Sequence, residues 1–101
     1  MGIAATEAQM AGLDDSQRSS FISAHPEWSI DREVITRTFT HQDFNEAMGF
    51  VTRVALASDV ADHHPDIDIR WNRVTLALTT HEAGALTEKD TMLAAQFDSF
   101  V

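Results

Sequence analysis

The clearest pattern in the chain lies in its middle. Phe44, Ala47, Met48, Val51 and Ala55 fall at i, i+3, i+4, i+7 and i+11, one apolar stripe that Val54 widens. That spacing predicts a helix running to about Ala61 and ending before His63-His64-Pro65. Thr40 reads as its cap, with Asp43 three residues on facing the positive end of the helix dipole. The flanking segments alternate instead, as strands do. Trp28 to Ile30 reads as a short strand, Asp31-Arg32-Glu33 as a turn, and Val34 to Thr40 as a second strand. In the second strand Ile35, Arg37 and Phe39 share one face, and Val34, Thr36 and Thr38 the other. After the helix, Ile67, Ile69 and Trp71 alternate with Asp66, Asp68 and Arg70, which predicts a strand with one buried face. Asn72-Arg73 reads as a tight turn. Val74, Leu76, Leu78 and Thr80 then alternate with Thr75, Ala77, Thr79 and His81 in a fourth strand.

Helix signals bracket this core. Asp14 with Gln17 three residues on reads as a capped start, carrying Phe21 and Ile22 inward and stopping before Pro26. Gly84 supplies a flexible link. Thr87 with Asp90 starts a last helix bearing Leu93, Phe97 and Phe100. The order α-β-β-α-β-β-α predicts an α+β two-layer sandwich, a four-stranded antiparallel sheet with three helices on one face. Residues 1–12 read as a short tail and residues 13–101 as a single domain.

Composition narrows the function classes. A 101-residue chain fits one domain. It buries only about two-thirds of its unfolded surface, so self-association would add useful stability. There is no cysteine, which excludes disulfides and thiolate metal sites and suits a reducing, cytoplasmic setting. The formal charge of −9 repels phosphate backbones and anionic membranes, so neither nucleic acid nor membrane is an expected direct partner. No apolar run approaches the roughly 18–20 residues that span a bilayer. Met1-Gly2-Ile3-Ala4-Ala5-Thr6 matches the myristoylation pattern, but no basic patch follows it. A plain tail is the expectation there.

Five histidines carry the candidate chemistry. His25 and His41, beside a helix end and a helix start, read as surface residues. His63 and His64 lie between the long helix and the next strand, preceded by Asp62. Pro65 biases His64 toward an extended backbone, so the two adjacent rings point in different directions. His81 ends the fourth strand, on the face opposite Val74, Leu76 and Leu78. The three can meet at one rim of the sheet. Imidazole both gives and takes protons near neutral pH, which suits protonation of a leaving hydroxyl with proton removal elsewhere. Three readings stay open at this point: separate polar side chains, an acid/base site, or a metal site. The adjacent pair lacks the i, i+4 spacing of two ligands on one helix face. Asp90 fits either a catalytic role or a helix cap.

The residues taken together resemble the pterin-4a-carbinolamine dehydratase family in order and spacing. They are Asp62-His63-His64-Pro65-Asp66, Trp71-Asn72-Arg73-Val74, Thr79-Thr80-His81-Glu82-Ala83-Gly84 and Leu86-Thr87-Glu88-Lys89-Asp90. Asp59 fits the acidic position before His-His-Pro, and Trp71 the aromatic one after it. The helix from Asp43 to Ala55 and the strand-opening Trp28 match as well, so the likeness spans roughly residues 13–100. It implies dehydration of 4a-hydroxytetrahydrobiopterin to quinonoid dihydropterin in tetrahydrobiopterin recycling, without metal or organic cofactor, by a homodimer or homotetramer serving an aromatic amino acid hydroxylase pathway. By position, it implies His63 and His81 as acid/base residues, His64 as a substrate holder and Asp90 as a support. Asp62, Thr79, Thr80, His81 and Glu82 would contact the pterin. Some animal members also stabilise the dimer of a homeodomain transcription factor, which makes a non-catalytic binding role the main alternative. The chain departs from the family pattern at Ile67, where some animal members carry an aromatic residue, and at Pro26-Glu27, where Gly is common before the tryptophan.

Overall fold

The sheet orders its strands so that the last hairpin leaves one edge bare. The structure, a computed structural model, describes residues 10–101. The myristoylation pattern at Met1 to Thr6 lies outside the described residues. The elements are α1 (Asp15–Ala24), β1 (Ser29–Asp31), β2 (Val34–Thr40), α2 (Phe44–Ala61), β3 (Asp66–Arg70), β4 (Arg73–Leu78) and α3 (Glu88–Asp98). The four strands form one antiparallel sheet in the order β1-β2-β4-β3. The expected α+β order therefore holds. Gly12 bridges Thr87, and Leu13 N–H reaches Leu86 O at 2.9 Å, so the chain joins the domain at that point.

Register explains which residues become core. Ile35 lies opposite Leu78, Arg37 opposite Leu76 and Phe39 opposite Val74, so these side chains share one face. Ile35, Phe39, Val74, Leu76 and Leu78 are buried there beneath Phe21 of α1, Phe50 and Val54 of α2, and Leu93 and Phe97 of α3. Asp14 caps α1 reciprocally with Gln17, as expected.

Several expectations need correction. Asp43, not Thr40, caps α2: its side chain accepts from Glu46 N–H at 2.8 Å. The buried stripe of α2 is Ala47, Phe50, Val54 and Ala57, while Phe44 is exposed. Both stripes have helical spacing, because α2 is apolar on more than one side. Leu56 and Val60 are exposed too. β3 has no buried face, since it lies at the sheet edge beyond the cover of the helices. The hairpin turns at Trp71-Asn72, one residue early, and Trp71 is exposed with φ 50. β4 ends at Leu78 rather than at His81. Phe100 lies past the end of α3, packed against the core.

Of the two outlying histidines, His41 is buried rather than at the surface, and His25 is half-buried. His41 continues the inward parity of Ile35, Arg37 and Phe39, and its buried ring lies 4.9 Å from that of Phe50. Its backbone N–H donates to Asn72 O, and Asn72 Nδ2 donates back to His41 O. His25 stacks on Phe21 at 5.1 Å and bonds through Nδ1 to Asp98 Oδ2 at 2.7 Å. The other oxygen of Asp98 accepts from Trp28 Nε1 at 2.8 Å and from Arg37 at 2.7 Å. The Arg37 guanidinium also sits 4.1 Å from the centre of the Phe39 ring. A cation on the inward face is thus accommodated by a carboxylate and an aromatic face.

Truncation should separate the two α2 stripes. Phe50→Ala should cost about 3–5 kcal/mol by urea denaturation, and Phe44→Ala under about 1 kcal/mol. Acid should report on the first hairpin. Glu33 accepts from both Arg18 and the Leu86 backbone N–H, and the Arg18 bond is the larger cause holding its carboxyl below the ordinary 4.5. A depressed carboxyl stabilises above its unfolded pKa and stops doing so as pH falls through the folded one. The stability difference between wild type and Glu33→Gln should therefore be constant near neutrality and shrink below about pH 4.5.

Candidate active site

The turn that ends α2 separates two neighbouring histidines. Asp62 takes the left-handed conformation, φ 51 and ψ 42, which aspartate tolerates better than most residues. His63 N–H then reaches back to Ser58 O at 3.2 Å, a Schellman-type closure. This reversal carries the His63 ring inward, where it is 6% exposed. His64, held before Pro65, stays exposed and meets Asp59 Oδ1 through Nε2 at 2.9 Å.

Behind His63 lies a buried polar network. Its Nε2 is 2.5 Å from Asp90 Oδ1. Asp90, in the first turn of α3, has no exposed surface. Its Oδ2 accepts from Thr87 N–H at 2.9 Å and from the Thr80 hydroxyl at 2.8 Å. The Thr87 hydroxyl completes the chain, 2.7 Å from that of Thr80. A carboxylate only accepts, so a neutral His63 ring bonded to ionised Asp90 would donate from Nε2 and keep its lone pair on Nδ1. Asp90 completes the capping box of α3 with one oxygen, and its other oxygen meets the His63 ring.

His81 arrives by another route. Strand alternation does not aim it, because β4 has already ended. A tight reversal does so, with Ala83 N–H donating to Thr80 O, Gly84 N–H to His81 O, and an isolated bridge from Thr80 to Ala85. Gly84 sits at φ 62, with nothing within 4 Å of the place a Cβ would occupy. Its backbone conformation, not crowding, favours glycine there.

These segments meet around an open cavity of about 250 Å³ lined by Asp62, His63, His64, Thr79, His81 and Glu82. Six of the eight site residues expected from sequence are thus brought together. Thr80 and Asp90 do not line it. Both are fully buried behind His63. The Glu82 carboxyl is held below its ordinary range, first by its own backbone N–H and then by the charge of Lys89. The cavity wall therefore carries an ionised carboxylate at neutral pH. Three imidazoles beside carboxylates can take up, hold and return protons, and the carboxylates can accept hydrogen bonds from N–H groups of a ligand. Among the described residues no three His, Asp or Glu side chains are gathered to hold a metal ion.

Sequence reasoning missed a second cavity, of about 160 Å³. It shares His64, Thr79 and His81 with the first and adds Val34, Asp66, Ala77 and Leu78. Its signal is the register, with Asp66 opposite Ala77, which cannot be read until the strands are paired.

Comparisons with known proteins agree with this fold. Residues 11–100 match the family described as pterin 4 alpha carbinolamine dehydratase. A Chloroflexus aurantiacus protein named "Putative pterin-4-alpha-carbinolamine dehydratase" is 49% identical over 92 residues, 91% of this chain and 99% of its own. A Thermomicrobium roseum protein of the same name is 51% identical over 85 residues, 84% of this chain and 91% of its own. The crystal structure of a transcriptional coactivator/pterin dehydratase from Brucella melitensis superposes with a TM-score of 0.83 at 35% identity, covering 88% of this chain and 97% of that one. Matched by the family over residues 11–100 and by its fold over 88% of its length, the chain belongs to the pterin 4 alpha carbinolamine dehydratase family.

Proposed function

We propose that this protein dehydrates 4a-hydroxytetrahydrobiopterin, or a close pterin-4a-carbinolamine, to the quinonoid dihydropterin and water. The observation that carries the reading is the cavity where His63, braced by the buried Asp90 carboxylate, faces the same space as His64 and His81. In the reaction an acid protonates the 4a-hydroxyl as its C–O bond breaks. A base removes the N5 proton, and the electron pair forms the C4a–N5 double bond. His63 and His81 take these two proton transfers. His63 is suited to the base step, since its Nδ1 holds the lone pair and Asp90 stabilises the imidazolium that forms. His64 positions the ring. Asp62, Thr79 and Glu82 bond the polar edge of the pterin, and Thr80 acts from behind through Asp90.

The rest of the reading concerns setting and partners. A cytoplasmic place in tetrahydrobiopterin recycling beside an aromatic amino acid hydroxylase belongs to it, and the lack of cysteine suits that compartment. No helix among the described residues is long and apolar enough to cross a membrane. Assembly into a homodimer or homotetramer is supported by the bare β3 edge, where Ile67, Ile69 and the neighbouring Trp71 are exposed. One observation favours a second, protein-binding reading. Leu56, Val60 and Phe100 line an apolar groove between α2 and the C-terminal segment, with Arg53 and Gln96 at its rim. Such a role would leave the histidines unused.

His63→Ala and His81→Ala should each lower the dehydration rate at least about tenfold with the circular dichroism unchanged. Full activity in the double variant would sink the catalytic assignment and favour the binding reading. Asp90→Asn should cost about 1–3 kcal/mol, because it presents a donor to a pocket of donors. It should also change the His63 tautomer seen in its ¹⁵N shifts. An unchanged tautomer would mean that Asp90 is a cap alone.

A further inference from the structure

The loop that carries His81 and Glu82 stands on two feet, and one residue outside the cavity holds both. Thr80 and Ala85 bridge each other across the loop, so Thr79 and Leu86 flank it on either side. Thr79 Oγ1 donates to the backbone carbonyl of Glu33 at 2.6 Å. The Leu86 N–H donates to Glu33 Oε1 at 3.1 Å. Glu33 sits with Arg32 in the two-residue turn between β1 and β2, and it lines neither of the cavities that His81 lines. Among the described residues, the backbone from His81 to Ala85 bonds only within the loop. The placement of His81 is therefore inherited from the two feet and from the Thr80 hydroxyl on Asp90.

Glu33 is itself fixed. Arg18 Nη2, from α1, lies 2.8 Å from both of its carboxylate oxygens. The same guanidinium donates to the backbone carbonyls of Leu13 and Arg32. Leu13 N–H returns to Leu86 O at 2.9 Å, so the bonds close a ring from Leu86 through Glu33, Arg18 and Leu13 back to Leu86. The Arg18 bond, then the Leu86 N–H, hold the Glu33 carboxyl below its ordinary range. It stays an ionised acceptor at neutral pH.

We propose that Glu33 is a positioning residue for His81, setting how the loop stands over the cavity, and that Arg18 holds Glu33 in place for that task. The kinetic consequence rests on the dehydratase reading, whereas the hold on the loop does not. Proton transfer needs its partners in register, and a misplacement of about 1 Å can cost about 10²-fold in rate. An ion pair kept for stability alone would depend on the charge of Glu33. A clamp on the loop depends on its acceptor oxygen.

Two substitutions in the full chain separate these roles. Glu33→Ala removes the acceptor, while Glu33→Gln removes the charge and keeps an amide oxygen for the Leu86 N–H. With folding checked by circular dichroism, kcat and KM are measured on 4a-hydroxytetrahydrobiopterin, and Leu86 amide exchange by NMR. In Glu33→Ala, kcat should fall at least about tenfold with KM changed less than about threefold. Its Leu86 amide should exchange at least about tenfold faster. In Glu33→Gln both quantities should lie within about threefold of wild type, although that variant lacks the ion pair too. Equal losses of kcat in the two variants, or an unchanged kcat in Glu33→Ala, would overturn the positioning role and leave the dehydratase reading intact. A wild type with no dehydration activity would overturn the dehydratase reading instead. The clamp would then be judged on exchange alone, and an unchanged Leu86 rate in Glu33→Ala would overturn it.

Discussion

A carboxylate with no exposed surface has to be satisfied from within, and Asp90 is satisfied by three separate parts of the chain. The His63 ring comes from the loop after α2, the Thr80 hydroxyl from the turn after β4, and the Thr87 N–H from the start of α3. Removing any one donor would leave a buried charge short of a partner, which costs more than an ordinary hydrogen bond contributes. These three segments cannot drift apart without breaking the network. The relative placement of α2, β4 and α3 at this end of the sheet is therefore the same fact as the placement of His63 in the cavity. Fold and site share one set of bonds.

That sharing explains the unequal treatment of adjacent residues. A single left-handed residue, Asp62, turns His63 toward Asp90 and leaves His64 in solvent beside Asp59. A ring wired to a buried carboxylate has one tautomer and one orientation, which suits proton transfer at a fixed atom. A ring on the rim can adjust to what it holds. The division of roles between the two histidines follows from their burial.

Much of this was legible in the chain. Alternation and helical spacing located all seven elements, because each spaces its apolar residues at a strand or helix period. The His-His-Pro segment and the later His and Asp were legible as a set through their resemblance to a family. What was hidden depended on distance in sequence. His41 and His25 read as surface residues because nothing local shows that Phe50 waits above one and Asp98 beside the other. The α2 stripe was misplaced because two apolar faces overlap, and only packing decides between them. β3 looked half-buried because alternation reports a potential face, whereas strand order decides whether anything covers it. Alternation put Thr80 on the inward side with Val74, Leu76 and Leu78, and it is buried there against Asp90, so it does not line the cavity as the resemblance implied.

The two ends of α3 are held by carboxylates, and the helix treats them oppositely. Asp90 stands in the first turn, where the aligned peptide dipoles welcome negative charge. Asp98 stands in the last, where they oppose it, and it needs Trp28, Arg37 and His25 to remain there. When α3 loosens, its far end has the field against it and its near end has the field behind it. Fraying should therefore begin beside Trp28 and travel toward Asp90, so that the end facing the histidines is the last part of the helix to let go.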